Sequence, residues 1–354
     1  MLPPMAAILI QQQNPDGTLH AIVDDDERCV TLWLVPAEPL RGKVPIRAVW
    51  VRNLVEAPER FDPSPAREGD APLQPATHCV DPGPGRALSP DGLALVWLQE
   101  GDGVALLDGD DVLAVLPAWA DGQACPGYAA AARGRGPMAW SLADATALVD
   151  RVHADRAWWD RWQQDPFTPV RDAQLEAIQA QIGPMQRYFA IDGGTWPPRG
   201  MALLDRPPGR VAITLANALR RQPQAELHLR EGTPGTRFEL AIALHPSVSD
   251  EAPWMRALSG LAPLPWERLT WLGSGHTVSM GSLPDPFGAI FLHPAPPPGI
   301  ELELPDIDGE PVLVLWATPI TAGERAIAQQ YGRDVLAERL GEALSQCMVR
   351  APVG

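Results

Sequence analysis

The chain is nearly devoid of lysine. Lys43 is the only one, and arginine supplies the rest of the 28 basic residues. Together with abundant alanine and proline, this reflects coding composition rather than a function. Positive charge is short altogether, since 44 acidic residues leave a formal charge of −16. Phosphate backbones repel such a surface, which argues against non-specific nucleic-acid binding. The charge favours solubility and, in a macromolecular partner, a basic one. Cysteine is scarce too. Cys29, Cys79, Cys125 and Cys347 lie far apart, no Cys-x-x-Cys occurs, and no histidine stands at ligand spacing. A disulfide framework or a zinc site is therefore not expected, and the thiols read as reduced and buried. Long apolar runs are missing. None reaches the roughly 18 residues that span a bilayer. The early "MAAILI" follows no basic segment and is too short for a signal peptide. The expectation is a cytoplasmic protein with no membrane partner.

Proline, in contrast, is plentiful. Its 40 residues are more than twice the usual share of about 5%, so long unbroken helices should be few. With 45% hydrophobic residues over 354 positions the chain can fill two cores. Domains of about 100–200 residues make two the expected number.

The first 140 residues read as strands joined by tight turns. "AAILIQQQ-NPDG-TLHAIVDD" is a hairpin pattern. "CVTLWLVPA" and "IRAVWVRNL" add alternating β-branched and aromatic residues. Residues 57–92 form a proline-rich loop, long enough that it should cover something. "LALVWLQ-EGDG-VALLDGDDVLAVLPAW" then reads as a meander. Two helices follow. One has Ser141 and Asp144 as its capping pair and a stripe of Leu148, Val152, Trp159 and Trp162. At least one of its tryptophans must pack beyond a single core, on the other domain or on a partner. The second, "RDAQLEAIQAQI" after the break "DPFTPV", carries Leu175, Ile178 and Ile182. Beyond it, "GRVAITLANAL", "AELHLREG", "RFELAIALHP", "FGAIFLHP", "IELELPDIDG" and "EPVLVLWATPI" read as strands. "DEAPWMRALSGLA" reads as a helix. So does the segment from Thr321, where "TAGE" is a capping box ahead of Ile327, Tyr331, Leu336, Leu340 and Leu344.

Candidate chemistry centres on "WLGSGHTVSMGSLPD", residues 271–285, where Ser274, His276 and Asp285 share a glycine-rich stretch. A nucleophile elbow needs Gly-x-Ser-x-Gly and a helix behind the serine, and neither is present. A phosphate loop needs Gly-Lys-Ser/Thr, and no lysine is near. The glycines read as a turn. The acidic runs "EGDGVALLDGDD" and "DIDGE" miss the calcium-loop template and read as hairpin turns. The seven histidines do not cluster in sequence, which leaves clustering in space open.

In order, "RFELAIAL", "PWMRALSGLA", "GSGHTVSMGSLPD", "AIFLHP" and "EPVLVLWATPITAGERAIAQQYGRDVLAERL" resemble the Suppressor of fused domain family. The shared features are a Phe-Glu-Leu strand, a Trp-led helix, a Gly-His turn opening a short strand, and a strand running into a capped helix. The likeness covers about residues 195–345. The first half resembles the additional β-rich domain of bacterial members. The resemblance implies a mixed α/β fold and no enzymatic activity. Animal members sequester a Gli-type transcription factor by clasping an extended peptide between two domains, partly by strand addition. Bacterial relatives look like interaction proteins, some of them proposed to neutralise toxins encoded nearby. The peptide-contacting segments of the family fall near "AITLANALRR" and "ELHLREGTPGT". Arg221 stands at a family tyrosine position, and Glu231-Gly232 loosely matches a Thr-Asp-Gly turn. Ala216-Asn217-Ala218 replaces a Gly-Leu-Ser element, and Pro263 and Pro265 interrupt a helix that many members continue.

The expectation is an α+β protein: a β-rich domain over 1–165, a helical linker over 166–194, and a Suppressor-of-fused-like mixed α/β domain over 195–354. It binds a protein or extended peptide, basic in character, at an interdomain groove or strand edge, as a sequestering or immunity-type protein. Its candidate partner-binding residues are Arg221, Glu231, Arg237 and His276. No catalytic residue, cofactor or metal is expected. The alternative is a hydrolase in which folding brings a histidine and carboxylates together in a cleft, and a third reading is a purely structural subunit.

Overall fold

The computed structural model describes residues 7–120, 125–207, 209–230, 233–340 and 348–349. The chain divides into two compact units, Met1–Gln164 with Trp266–Leu269, and Asp165–Pro265 with Thr270–Gly354.

The first unit opens with an antiparallel sheet in sequence order: β1 (Ala7–Gln13), β2 (Leu19–Asp25), β3 (Cys29–Pro36) and β4 (Arg47–Asn53). Its first hairpin is the expected one. Asn14 Oδ1 accepts from the amides of Thr18 and Leu19 at 2.7 and 3.0 Å, and Gly17 takes φ +69°. The turn thus uses its asparagine as acceptor and its glycine for the left-handed position. The 57–92 loop contains a short helix, α1 (Ser64–Glu68), and does cover something. Its Ala71, Cys79 and Leu88 join the core. It is tied down by Trp50 Nε1 donating to Asn53 Oδ1 (2.7 Å), Asn53 Nδ2 to the Gln74 carbonyl (2.9 Å) and Gln74 Nε2 to the Ala139 carbonyl (2.8 Å).

A second sheet follows: β5 (Leu93–Trp97), β6 (Val104–Asp108), β7 (Asp111–Leu116), β8 (Tyr128–Ala129) and β9 (Trp140–Ser141). Successive strand side chains point to opposite faces. Val104 and Leu106 of β6 meet Leu32, Leu34 and Trp50 in a core between the sheets. Ala105 and Leu107 pack with Leu148 and Val152 of the helix α2 (Thr146–Arg161). Both faces are covered, so β6 shows no polar alternation. Ser141 does not cap α2. Its backbone is paired in β9, and the helix starts after Ala145. The buried stripe runs through Leu148, Val152, Asp155 and Trp158 rather than Trp159 and Trp162. Trp158 meets the rings of Trp159 and Trp162 edge-on at 4.7 and 5.5 Å.

The second unit begins with α3 (Phe167–Gln181), which starts ahead of Pro169 rather than after it. Proline is tolerated in a first turn, where its missing N–H has no intrahelical partner to lose. There follow β10 (Met185–Ala190), β11 (Gly200–Arg206), β12 (Gly209–Leu215), α4 (Ala225–His228), β13 (Arg237–Leu244), α5 (Ala252–Leu261) and α6 (Leu264–Arg268), of which residues from Trp266 on belong to the first unit. The last elements are β14 (Thr277–Ser279), β15 (Phe287–His293), β16 (Val312–Thr321), α7 (Ala322–Tyr331), α8 (Arg333–Leu340) and β17 (Met348–Val349). The sheet order is β10-β11-β12-β13-β16-β15-β14, with β17 also paired to β13. Among the described residues the pairings of β13 with β16 and with β17 are parallel and the others in this sheet are antiparallel. Ile178 and Ile182 pack over Ala202, Leu204, Val211 and Ile213, so the segment 166–194 is part of this unit. Trp254, Leu258 and Leu261 of α5 are buried as their spacing predicts.

Three expected elements differ. The described residues of "AELHLREG" form only the one-turn α4, because β12 pairs directly with β13 and leaves no slot for a strand. "IELELPDIDG" is not a strand. Gln181 satisfies its backbone, donating to the Glu303 carbonyl at 2.8 Å and accepting from its amide at 2.9 Å. Only Ile307 and Glu310 pair, around a turn with Asp308 and Gly309 at φ +54° and +77°. The final helix has the expected capping box, but it breaks at Gly332 (φ +93°). Tyr331 is therefore 61% exposed, while Leu336 is wholly buried. Leu344 lies outside the described residues. Among the described residues no helix is long and apolar enough to cross a membrane.

Candidate functional site

All eight residues of β13 are buried, including the charged Arg237 and Glu239. The Glu239 carboxyl accepts from Thr214 Oγ1 at 2.6 Å, Gln174 Nε2 at 3.0 Å and the Ala218 amide at 3.0 Å. Burial pushes its pKa up to about 7, against the pull of these hydrogen bonds. Gln174 Oε1 also accepts from the Ala216 amide at 2.7 Å. The network fixes the turn after β12, where Ala216 holds φ +60°, a region that non-glycine residues seldom adopt.

Arg237 grips the same turn from the other end. Its Nη1 donates to the carbonyls of Ala218 and Leu219 at 3.2 and 2.8 Å. Its Nε reaches Glu310 at 2.7 Å and its Nη2 reaches Asp308 at 3.5 Å. Burial lowers its pKa, and Glu310 opposes that. Arg221 binds the same carboxylate through two nitrogens, each at 2.8 Å. The acidic turn at "DIDGE" thus serves as a clamp for two arginines. Such two-pronged, charge-assisted pairs fix geometry as well as adding energy.

Gln222 carries the order onward. Its Oε1 accepts from the Leu272 amide at 2.7 Å, and its Nε2 donates to the Leu272 carbonyl at 2.9 Å. Next to Leu272, the Trp271 ring is stacked on His228 (5.2 Å, 15°) and meets His276 edge-on (4.6 Å, 69°). Gly275 takes φ +88°, and its amide donates to the Leu292 carbonyl at 2.7 Å, leading the chain into β14. A shallow recess of about 530 Å³ opens here, lined by Trp271, His276, Thr277, Ser279, Leu264 and Arg325. β14 ends the strand order, so one side of it is a free edge among the described residues. Burial lowers the His276 pKa, partly offset by a hydrogen bond to the Trp271 backbone.

Folding therefore joins Arg221 and Arg237 on Glu310, and the chain runs from Arg221 into Gln222, whose bonds to Leu272 hold the neighbouring Trp271 against His276. Arg237 is enclosed, while Arg221 and His276 reach solvent. Glu231 lies outside the described residues. No side-chain hydrogen bond links Ser274, His276 and Asp285 among the described residues. The Ser274 carbonyl accepts from Arg333 at 2.8 Å. His293 pairs with the Thr318 hydroxyl at 2.8 Å, and burial takes its pKa down to about 4. No group of three or more potential metal ligands occurs among the described residues. Sequence reasoning missed Glu310, Gln222 and Trp271. Only Trp271 had a local signal, as the aromatic ahead of Gly273 and Gly275.

The family model for Suppressor of fused protein (SUFU) matches residues 212–348. The span takes in Thr214, Arg221, Glu239, Trp271, His276 and Glu310, and the resemblance read from the sequence is borne out over it. No curated protein matches the chain. Two similar solved structures are a SUFU homolog from Neisseria gonorrhoeae FA 1090 and the Sufu–Fu complex. The first is 16% identical, with a TM-score of 0.39, over 52% of this chain and 96% of that one. The second is 15% identical, with a TM-score of 0.36, over 52% of this chain and 88% of that one.

Proposed function

We propose that the chain is a non-enzymatic protein-binding protein that holds a segment of a partner beside Arg221, Trp271, His276 and the β14 edge. The observation that carries this reading is the Gln222 link. A buried network holds the Trp271 ring in a fixed position beside β14, a strand with one free edge among the described residues. Pre-organised aromatic and arginine groups are the usual anchors of interfaces, and a free edge accepts an added strand. The formal charge of −16 steers a basic partner toward the surface as a whole. The protein works in the cytoplasm by sequestering its partner, and an immunity role is the specific form tested below.

The experiment is affinity capture from the native cell with wild type and Trp271→Ala side by side. Wild type should retain a defined protein partner. Its Kd should rise by about 30-fold or more in the variant, as for a central interface tryptophan, while the circular dichroism spectrum is unchanged. No reproducible partner, or a partner indifferent to Trp271→Ala, would sink the reading. A toxin gene adjoining the locus, with rescue from that toxin on co-expression, decides for immunity.

A further inference from the structure

The other end of the sheet also has a free edge, and its chemistry is different. β10 pairs only with β11 among the described residues, in the register Arg187↔Leu203, Tyr188↔Ala202, Phe189↔Met201 and Ala190↔Gly200. One residue further on, the Ile191 amide donates to the Arg199 carbonyl at 3.0 Å. Inward bonds of an antiparallel pair fall on alternate residues. Arg187, Phe189 and Ile191 therefore bond toward β11, and the backbone groups of Tyr188 and Ala190 point away from the sheet.

Side chains alternate in the same way. On the face shared by Arg187, Phe189 and Ile191, a recess of about 470 Å³ lies between β10, β11 and α5. Phe189, Met201, Leu203 and Met255 give it an apolar lining, and methionine makes such a surface adaptable. Arg187 and Arg256 stand exposed at its rim, and neither has an acidic partner among the described residues. The rim acid, Glu251, is engaged by Arg210.

We infer that β10 and this recess form a docking edge for an extended polypeptide whose recess-facing side chains combine apolar and acidic residues. The outward amides and carbonyls of Tyr188 and Ala190 supply the added strand's main-chain bonds. The apolar lining takes its alternate side chains, and Arg187 and Arg256 take its carboxylates. The charge match is local, since two unpaired cations flank an apolar mouth on a chain of formal charge −16. The same cations disfavour a second copy of the chain. Antiparallel pairing of β10 with itself would put both Arg187 side chains on one face, and like charges there repel. Charged residues and bulges are how edges avoid self-pairing, and β10 has both, with its register shift between Met185 and Arg187. The inference shares with the proposed function only that the occupant is a polypeptide. It uses a different edge.

The test pans a displayed library of random ten-residue peptides on the immobilised full chain. Enriched peptides should alternate apolar and acidic residues, and amide exchange should slow over residues 186–191 when they bind. Affinity should fall at least tenfold in Arg187→Glu/Arg256→Glu. It should fall similarly in Ala190→Pro, which removes an outward amide at a position where an edge strand tolerates proline. Urea unfolding confirms that each variant is folded. Trp271→Ala should leave these peptides bound, which separates this edge from the β14 surface. The inference is overturned by no enrichment, or by peptides that bind all variants equally. A chain dimer that Ala190→Pro dissociates overturns it in favour of a second copy. Displacement of the enriched peptides by decanoate at stoichiometric levels overturns it in favour of a small amphiphile.

Discussion

Glu239 is held by a threonine hydroxyl, a glutamine amide and a backbone N–H, and it sees no solvent. Its pKa of about 7 lies above the ordinary 4.5. A raised pKa means that the folded state binds the proton more tightly than the unfolded one. The stabilisation from this group is complete below pH 4.5 and fades as the pH rises through 7. Replacing it by an uncharged isostere should remove that slope. Glu239→Gln should match wild type in urea unfolding at pH 4.5 and exceed it at pH 8, by on the order of 3 kcal/mol if the whole shift is expressed. Equal pH dependence in both proteins would contradict this. His293 works in the opposite sense. Its pKa is depressed from 6.5 to about 4, so its contribution is present above pH 6.5 and is lost as the pH falls through 4. His293→Phe should therefore flatten the acid limb of the wild-type stability curve below pH 6.5, again measured by urea midpoints. Neither role was legible in the sequence. The Phe-Glu-Leu strand announces a glutamate, but its partners Gln174 and Thr214 come from 65 and 25 residues away. Burial of a charge depends on such long-range partners rather than on neighbours.

At the scale of elements, legibility follows the reach of the determining contacts. The β1–β2 turn, the α5 stripe and the α7 cap are all specified within a few residues, and all three stand in the fold as their patterns predict. "AELHLREG" and "IELELPDIDG" have equally good alternation, yet neither becomes a strand among the described residues. A strand needs a neighbour with free backbone groups. β12 and β13 already satisfy each other, and Gln181 occupies the Glu303 backbone. The start of α7 tests the local side of this rule. Thr321 Oγ1 accepts from the Glu324 amide at 3.2 Å, and Glu324 Oε2 accepts from the Thr321 amide at 2.7 Å. Thr321→Ala should cost about 1 kcal/mol. Faster amide exchange should be confined to the first turn of α7, with β16 and the Leu336 cluster unchanged. Exchange that accelerates throughout β16 would show that the cap holds more than a helix end.

At the scale of the molecule, the passage from one unit to the next falls at Gln164–Asp165, beside the "DPF" break that marks it in the sequence. The return of Trp266–Leu269 to the first unit has no such mark, because four residues are too few to show a period. It is nonetheless structural. Leu269 joins the core of Leu32, Trp50 and Leu106, and Trp266 is 1% exposed. The first unit is therefore not a contiguous stretch of chain, and cutting after residue 164 removes part of its core. A fragment of residues 1–164 should unfold at lower urea than the same unit in the whole chain. Leu269→Ala in the whole chain should destabilise that unit by about 2–4 kcal/mol, the usual cost of emptying a buried leucine site. Unfolding can be followed by amide exchange of β3 and β6, which belong to this unit alone. If the fragment matches the whole chain and Leu269→Ala changes nothing, Trp266–Leu269 only rests on a core that is complete without it.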